Sequence, residues 1–204
     1  MLRMVVVSLM LLSIPVTAET RAVDIYSQAQ LLHMIRNHTY LQRIKADKCQ
    51  IVQDIEAHAD VLKEPVYQYL WGEMLNYGVC VKADPAHGMQ LLRNAAEQGS
   101  AEAMVRIAQY YSEGKFLIQD KQRAVQYVYS AAANGDLPAQ MMLVELFGEG
   151  YGSPRDYLMA YHWLYNQTFN DSATQKRASE LLAKLATKMP ASQVEQARKT
   201  TIHR

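Results

Sequence analysis

The residues best suited to chemistry in this chain are its two cysteines, Cys49 and Cys80. A thiolate can act as a nucleophile when a base lies beside it, and it can also bind a metal ion. In an exported chain the two cysteines can instead form a disulfide, which would close a loop of about thirty residues and stabilise the fold by about 3 kcal/mol. The disulfide is the favoured interpretation, and a reactive or metal-bound thiol is the alternative.

The amino terminus predicts export. Arg3 precedes an apolar stretch over residues 4–16, and Ala18 precedes the polar Glu19, which is the pattern of a signal peptide over residues 1–18. The stretch is shorter than the roughly 20 residues that span a bilayer. A soluble exported protein is therefore expected, with an uncleaved anchor as the alternative.

Histidines offer the other potential metal ligands. His33, His38 and His58 could join Cys49 in a zinc site, but structural zinc ligands usually come in close pairs, and helical residues five apart do not share a face. Surface histidines without a cofactor are expected. The chain also has no His-Glu-x-x-His, no Gly-x-Ser-x-Gly and no phosphate-binding glycine loop, so we predict a protein that is not an enzyme.

The charges are almost balanced. Cleavage after Ala18 would remove one of the 21 basic residues and none of the 20 acidic ones, so no strong field would attract nucleic acid. Residues 175–204 hold seven basic and two acidic side chains. A solvated helix face is the simpler interpretation of this tail, and contact with an acidic partner is the alternative.

The elements that position these residues repeat every 36 residues. Such a period is typical of a solenoid of helix pairs, in which each pair buries its apolar face against its neighbours. The repeated positions are Gly78, Gly114 and Gly150; Asp84, Asp120 and Asp156; Gly88, Ala124 and Ala160; Ala95-Ala96 and Ala131-Ala132; Gly99 and Gly135; Ala103 and Ala139.

We therefore predict an all-α solenoid of helix-turn-helix repeats. Three repeats over residues 65–171 follow an N-terminal helical segment over 19–64 and precede capping helices over 172–204. Asp47 with Gln50 predicts a capping box that opens a helix with Cys49 in its first turn. Asp171 or Ser172 is expected to cap the next-to-last helix, and Ser192 with Glu195 the last one.

The repeated positions resemble the Sel-like repeat, a shorter relative of the tetratricopeptide repeat. The resemblance implies an α-solenoid that serves as a docking surface. The residues that carry it are Tyr67, Trp71, Gly72, Leu75 and Gly78 in repeat one; Ala103, Ile107, Ala108, Tyr111 and Gly114 in repeat two; Ala139, Leu143, Val144, Phe147 and Gly150 in repeat three.

The whole layout resembles the Sel-like repeat proteins of sodium-driven polar flagellar motors. It shares with them a signal peptide, one cysteine before the repeats, one in the first repeat loop and a basic tail. The resemblance implies a periplasmic structural protein of the motor's T ring, which binds MotY and helps to hold PomA/PomB stator units at the flagellar basal body, with no small-molecule substrate. The alternatives are a periplasmic adaptor for envelope assembly and a secreted β-lactam-binding or hydrolysing repeat protein. Proteins of that last kind carry a cysteine pair in each repeat, whereas repeats two and three here have none.

In tetratricopeptide relatives the first helix of each pair lines the concave face. Carried over to this chain, that geometry predicts a partner-binding groove that is apolar at one position of each repeat and mainly acidic at two. It would suit a peptide or helix with apolar anchors and a basic residue. The alternative is that the apolar positions simply pack against neighbouring repeats. The groove positions are Tyr69, Glu73 and Tyr77; Val105, Gln109 and Glu113; Met141, Glu145 and Glu149.

Overall fold

The structure, a computed structural model, describes residues 26–199. Every regular element in that range is helical, as the sequence predicts, and the signal peptide over residues 1–18 lies outside it. The helices are α1 (Gln28–Arg36), α2 (Tyr40–Ala46), α3 (Val52–Asp60), α4 (Pro65–Tyr77), α5 (Pro85–Glu97), α6 (Ala101–Glu113), α7 (Lys121–Ala133), α8 (Leu137–Glu149), α9 (Tyr157–Tyr165), α10 (Ser172–Ala186) and α11 (Ala191–Ala197).

Three helix pairs form the solenoid: α4 with α5, α6 with α7, and α8 with α9. The first helix of each pair ends at a left-handed glycine, with φ of 65° at Gly78, 72° at Gly114 and 100° at Gly150. Glycine adopts this conformation without steric cost, so it ends the helix and turns the chain. The 36-residue spacing of these glycines therefore marks the same turn in successive repeats.

The first helix pair packs unusually closely. A Cβ atom added to Gly88 of α5 would lie 2.5 Å from the carbonyl oxygen of Gly72 in α4 and would also overlap the Asn76 amide. The two backbones therefore meet almost directly, which only glycine permits at this crossing.

The N-terminal segment packs on the first repeat, because α1, α2 and α3 all contact α4. A disulfide joins Cys49 to Cys80, with their Cα atoms 5.6 Å apart. Cys49 lies in the turn between α2 and α3, at a φ of 61°. The disulfide thus ties this segment to the loop inside repeat one.

The capping box at Asp47 was a wrong prediction. Asp47 is the C-cap of α2, and its carboxylate accepts hydrogen bonds from Tyr26 and Arg43 instead of capping α3, which begins at Val52. One local contact, from Arg43, and one more distant contact, from Tyr26, thus replace the cap that Asp47 could have formed. Cys49 accordingly lies before α3 and not in its first turn.

The last two helices cover the end of the solenoid. Asp171 caps α10, as predicted, by accepting from the Thr174 amide at 2.7 Å, and α10 packs on α8 and α9. The predicted box at Ser192 is wrong, because α11 starts after Pro190 without a side-chain cap. Within residues 26–199, no helix combines the length and apolar character needed to cross a membrane.

Candidate protein-interaction groove

A groove of about 660 Å³ runs across the first helices of repeats two and three. It brings together all six positions that the sequence predicted there. One wall comes from the α1–α2 junction, through Arg36 and His38, and the other from α10, through Thr174 and Arg177. The remaining lining residues are Val105, Gln109, Ser112, Glu113, Leu137, Pro138, Met141, Met142, Glu145, Leu146 and Glu149.

The groove combines an apolar floor with carboxylates. Glu149 pairs with Lys121 Nζ at 2.7 Å and with Lys184 Nζ at 3.8 Å, and Glu145 pairs with Arg177 at 3.4 Å. Glu113 makes no ion pair with any residue in the described part of the chain. A ligand with apolar side chains and a cationic group would complement this lining.

Repeat one differs, because its predicted groove residues are covered. Tyr69 and Glu73 are 2% and 0% exposed, and α2 lies over them through Tyr40. Tyr77 is 39% exposed, but its ring packs edge-on against Phe116 at 5.3 Å. The accessible groove therefore starts at repeat two. The expectation that Tyr69 and Glu73 face an open surface is corrected, because the N-terminal segment occupies that place.

Beneath α2, the buried carboxylate of Glu73 collects four donors. It accepts hydrogen bonds from the hydroxyls of Tyr110 at 2.6 Å and Tyr40 at 2.7 Å, and from the Asn76 amide at 3.2 Å. Arg106 Nε lies 3.2 Å from the same carboxylate. A buried carboxylate needs this degree of pairing to offset its lost hydration.

Arg106 extends the network to neighbouring elements. Its guanidinium donates to the Tyr69 hydroxyl at 3.0 Å and the Tyr40 hydroxyl at 3.1 Å, and to Gln109 Oε1 at 3.0 Å. Its Nη2 also lies 3.2 Å from His38 Nδ1. The N-terminal segment, repeat one, repeat two and the groove thus share one polar network.

Burial keeps the tyrosines of this network protonated. It raises the pKa of Tyr69 to about 12, and it raises the pKa values of Tyr40 and Tyr110 further still. Burial alone would lower the pKa of Arg106, but the neighbouring Tyr69 and Glu73 raise it. Neutral phenols can donate to the Glu73 carboxylate while Arg106 supplies the balancing positive charge.

The residues singled out as potential metal ligands do not assemble. Cys49 is in the disulfide, and within residues 26–199 no group of three or more His, Cys, Asp or Glu side chains is placed to hold a metal ion. His33 contacts the Asn37 amide, and His58 contacts the Glu64 carboxylate. The first contact lies at the end of α1, whereas His58 joins α3 to α4, where its ring also stacks on Tyr67 at 4.3 Å.

Comparison with known proteins agrees with this architecture. The Sel1 repeat model matches residues 65–100, 101–136 and 137–165. The sodium-type polar flagellar protein MotX of Vibrio parahaemolyticus is 41% identical in an alignment of 204 positions that covers 97% of this chain and 97% of that protein. The chain belongs to the MotX family of Sel1-repeat proteins.

Solved structures share the fold. A Sel1 repeat protein from Oxalobacter formigenes superposes with a TM-score of 0.53 at 26% identity, covering 70% of this chain. A protective antigen of uropathogenic Escherichia coli with an SLR fold superposes with a TM-score of 0.57 at 22% identity, covering 83% of this chain. The chain spans 54% of the first structure and 36% of the second. Both structural similarities support the fold of the repeats.

The closed polar network around Glu73 was not predicted from the sequence. Glu73 and Arg106 belong to the first helices of adjacent repeats, but Tyr40 precedes the repeats and falls outside their register. The available sign of this network was that Tyr69 and Glu73 lie one turn apart on the predicted concave face of α4. Nothing local showed that α2 would cover them.

Proposed function

We propose that this chain is a structural protein of a sodium-driven polar flagellar motor and that it acts by holding other proteins, without catalysing a reaction. The observation that carries this proposal is the 41% identity to MotX, which extends over 97% of both chains and includes the segments outside the repeats. A shared groove alone would be weaker support, because repeat solenoids serve many partners.

Within the motor, the proposed role is to bind MotY in the T ring and to help retain PomA/PomB stator units at the basal body, on the periplasmic side. Two features support a binding role. The groove offers apolar floor residues beside carboxylates, and the disulfide is of the kind that persists in an oxidising compartment. The partners themselves follow from the resemblance to motor proteins.

The proposal predicts a specific motility defect. Deleting the gene should leave flagella assembled on the cell, as seen by electron microscopy, but should abolish swimming in soft agar. A plasmid copy of the wild-type gene should restore swimming. A deletion strain that swims as well as its parent would contradict the proposal.

Stator retention can be tested in the same strain. Fluorescently labelled PomB should form foci at the flagellated pole in the parent and lose them in the deletion strain. Foci of undiminished intensity without this protein would contradict a role in holding stators, while leaving a role in binding MotY open to direct measurement with purified proteins.

A further inference from the structure

The groove contains an open counterpart of the closed Glu73 site. Glu145 occupies in repeat three the position that Glu73 occupies in repeat one, two repeats earlier. Glu73 pairs with Arg106 at 3.2 Å, and Glu145 pairs with Arg177 at 3.4 Å. Each arginine comes from the helix that follows the repeat, α6 in one case and α10 in the other. A glutamate at the same repeat position therefore pairs with an arginine of the helix that follows its repeat at both ends of the array.

The two sites differ in what covers them. In the closed site the side chains of Glu73 and Arg106 are 0% and 15% exposed, whereas those of Glu145 and Arg177 are 41% and 64% exposed. Tyr110 and Asn76 also donate to Glu73, but of the described residues only Tyr40, which α2 places over the first pair, bridges the glutamate and the arginine from outside the repeats. Its hydroxyl donates to Glu73 at 2.7 Å and accepts from Arg106 at 3.1 Å. No tyrosine in the described part of the chain makes the equivalent bridge at Glu145.

We propose that the groove binds a helix of a partner protein that presents a tyrosine to the Glu145–Arg177 pair and a basic residue to Glu113. The tyrosine hydroxyl would donate to Glu145 and accept from Arg177, as Tyr40 does in the closed site. This inference rests on the proposed function, since the partner is a protein of the motor.

The position of the groove supports a helix as the occupant. Arg36 and His38, at the junction of α1 and α2, form one of its walls, so the groove continues the face on which the chain's own N-terminal helices already dock. Its floor residues Val105 and Met141 occupy the position of Tyr69, which contacts the Tyr40 ring edge-on at 5.6 Å. An apolar helix face can therefore lie beside the tyrosine, as α2 does on repeat one.

The charges specify which helix fits. Glu145 is partly balanced by Arg177, and Glu149 by Lys121 and Lys184, but Glu113 forms no ion pair within residues 26–199. A lysine or arginine on the occupant would complete that balance, whereas an acidic helix would be repelled. The occupant is thus an amphipathic helix with one phenol and one cation on its docking face.

The test uses purified full-length chain and purified MotY, with the dissociation constant measured by biolayer interferometry. Glu145→Gln should raise Kd severalfold, because a neutral amide oxygen replaces the charged acceptor of the tyrosine hydroxyl, and Arg177→Met should raise Kd about tenfold or more, because it removes a charged donor. Glu97→Gln on α5, an exposed glutamate outside the groove, is the matched control and should leave Kd unchanged. Circular dichroism should show all three variants folded, since these side chains are exposed.

The role of the partner's tyrosine is tested by substitutions in MotY. One Tyr→Phe substitution in a surface helix of MotY should weaken binding to the wild-type chain, and it should cost less affinity with Glu145→Gln, since both substitutions weaken the same contact. Wild-type affinity for Glu145→Gln and Arg177→Met would overturn the groove proposal and leave the proposed function standing. No binding of MotY or of the periplasmic part of PomB to the wild-type chain would instead overturn the proposed function and this inference with it. Dimers of the wild-type chain that dissociate in Glu145→Gln, with MotY binding unchanged, would identify a second copy as the occupant and also overturn it.

Discussion

Removing the positive charge of Arg106 should destabilise the fold strongly. Arg106→Met keeps the length of the aliphatic chain but leaves the Glu73 carboxylate, which is fully buried, without its counter-charge. Breaking a buried ion pair by removing one partner costs about 3–5 kcal/mol. The lower half of that range applies here, because Tyr40, Tyr110 and Asn76 still donate to the carboxylate.

The magnitude can be read from urea unfolding of the purified protein, followed by circular dichroism at 222 nm. The chain offers a matched control in Arg177→Met, which removes the partner of Glu145. The two pairs have similar distances, 3.2 Å and 3.4 Å, but the second is exposed. Exposed ion pairs contribute at most about 1 kcal/mol, so the control should unfold almost like the wild type.

A double-mutant cycle isolates the pair. Glu73→Gln removes the charge that Arg106 balances, so the double variant Glu73→Gln/Arg106→Met should lose less stability than the two single variants added together. A loss below about 1 kcal/mol for Arg106→Met, or additive losses in the cycle, would show that this charged, desolvated pair does not stabilise the junction of repeats one and two.

Three further predictions concern packing, the disulfide and pH. Gly88→Ala should lower stability by about 1–3 kcal/mol in urea unfolding, because the added methyl group overlaps the backbone of Gly72, and a neutral result would contradict this close approach. Cys49→Ser should reduce the steady-state protein level, because the link spans 31 residues and its loss costs about 3–4 kcal/mol of loop entropy, so equal abundance would count against it. Burial and the charge of Arg106 lower the pKa of His38 in the folded chain, so the unfolded chain binds that proton more readily and the wild type should lose stability as pH falls from about 7 to about 5. Asparagine tolerates the positive φ at position 38, so His38→Asn should stay folded and should lose less thermal stability than the wild type over that pH range. Equal changes of melting temperature with pH in the two proteins would argue against a lowered pKa of His38.

The repeats were predictable because their signals are local. A left-handed glycine ends the first helix of every repeat, and in repeats one and two an aspartate caps the following helix. These signals recur at fixed spacing, so the register can be read without knowledge of tertiary contacts. Asp47 shows the limit of such signals. Its side chain could cap a helix, but in the structure its carboxylate accepts hydrogen bonds from Arg43 and Tyr26 instead.

The groove was predictable only in repeats two and three. There the positions that share a helix face also share a surface, because neighbouring repeats stack in register. In repeat one the same positions are buried by α2, which lies outside the register and is attached through Tyr40 and the disulfide. The contact between α2 and repeat one joins a segment outside the 36-residue period to one inside it, so no periodic pattern in the sequence indicates it.

We expect a motor partner to occupy the groove of repeats two and three. Carbodiimide footprinting of surface carboxylates, read by mass spectrometry with and without purified MotY, measures this occupancy. Glu113 and Glu145 should lose labelling in the complex, while the exposed Glu97 and Glu180 keep theirs. Unchanged labelling of Glu113 and Glu145 in a complex that has demonstrably formed would contradict this expectation.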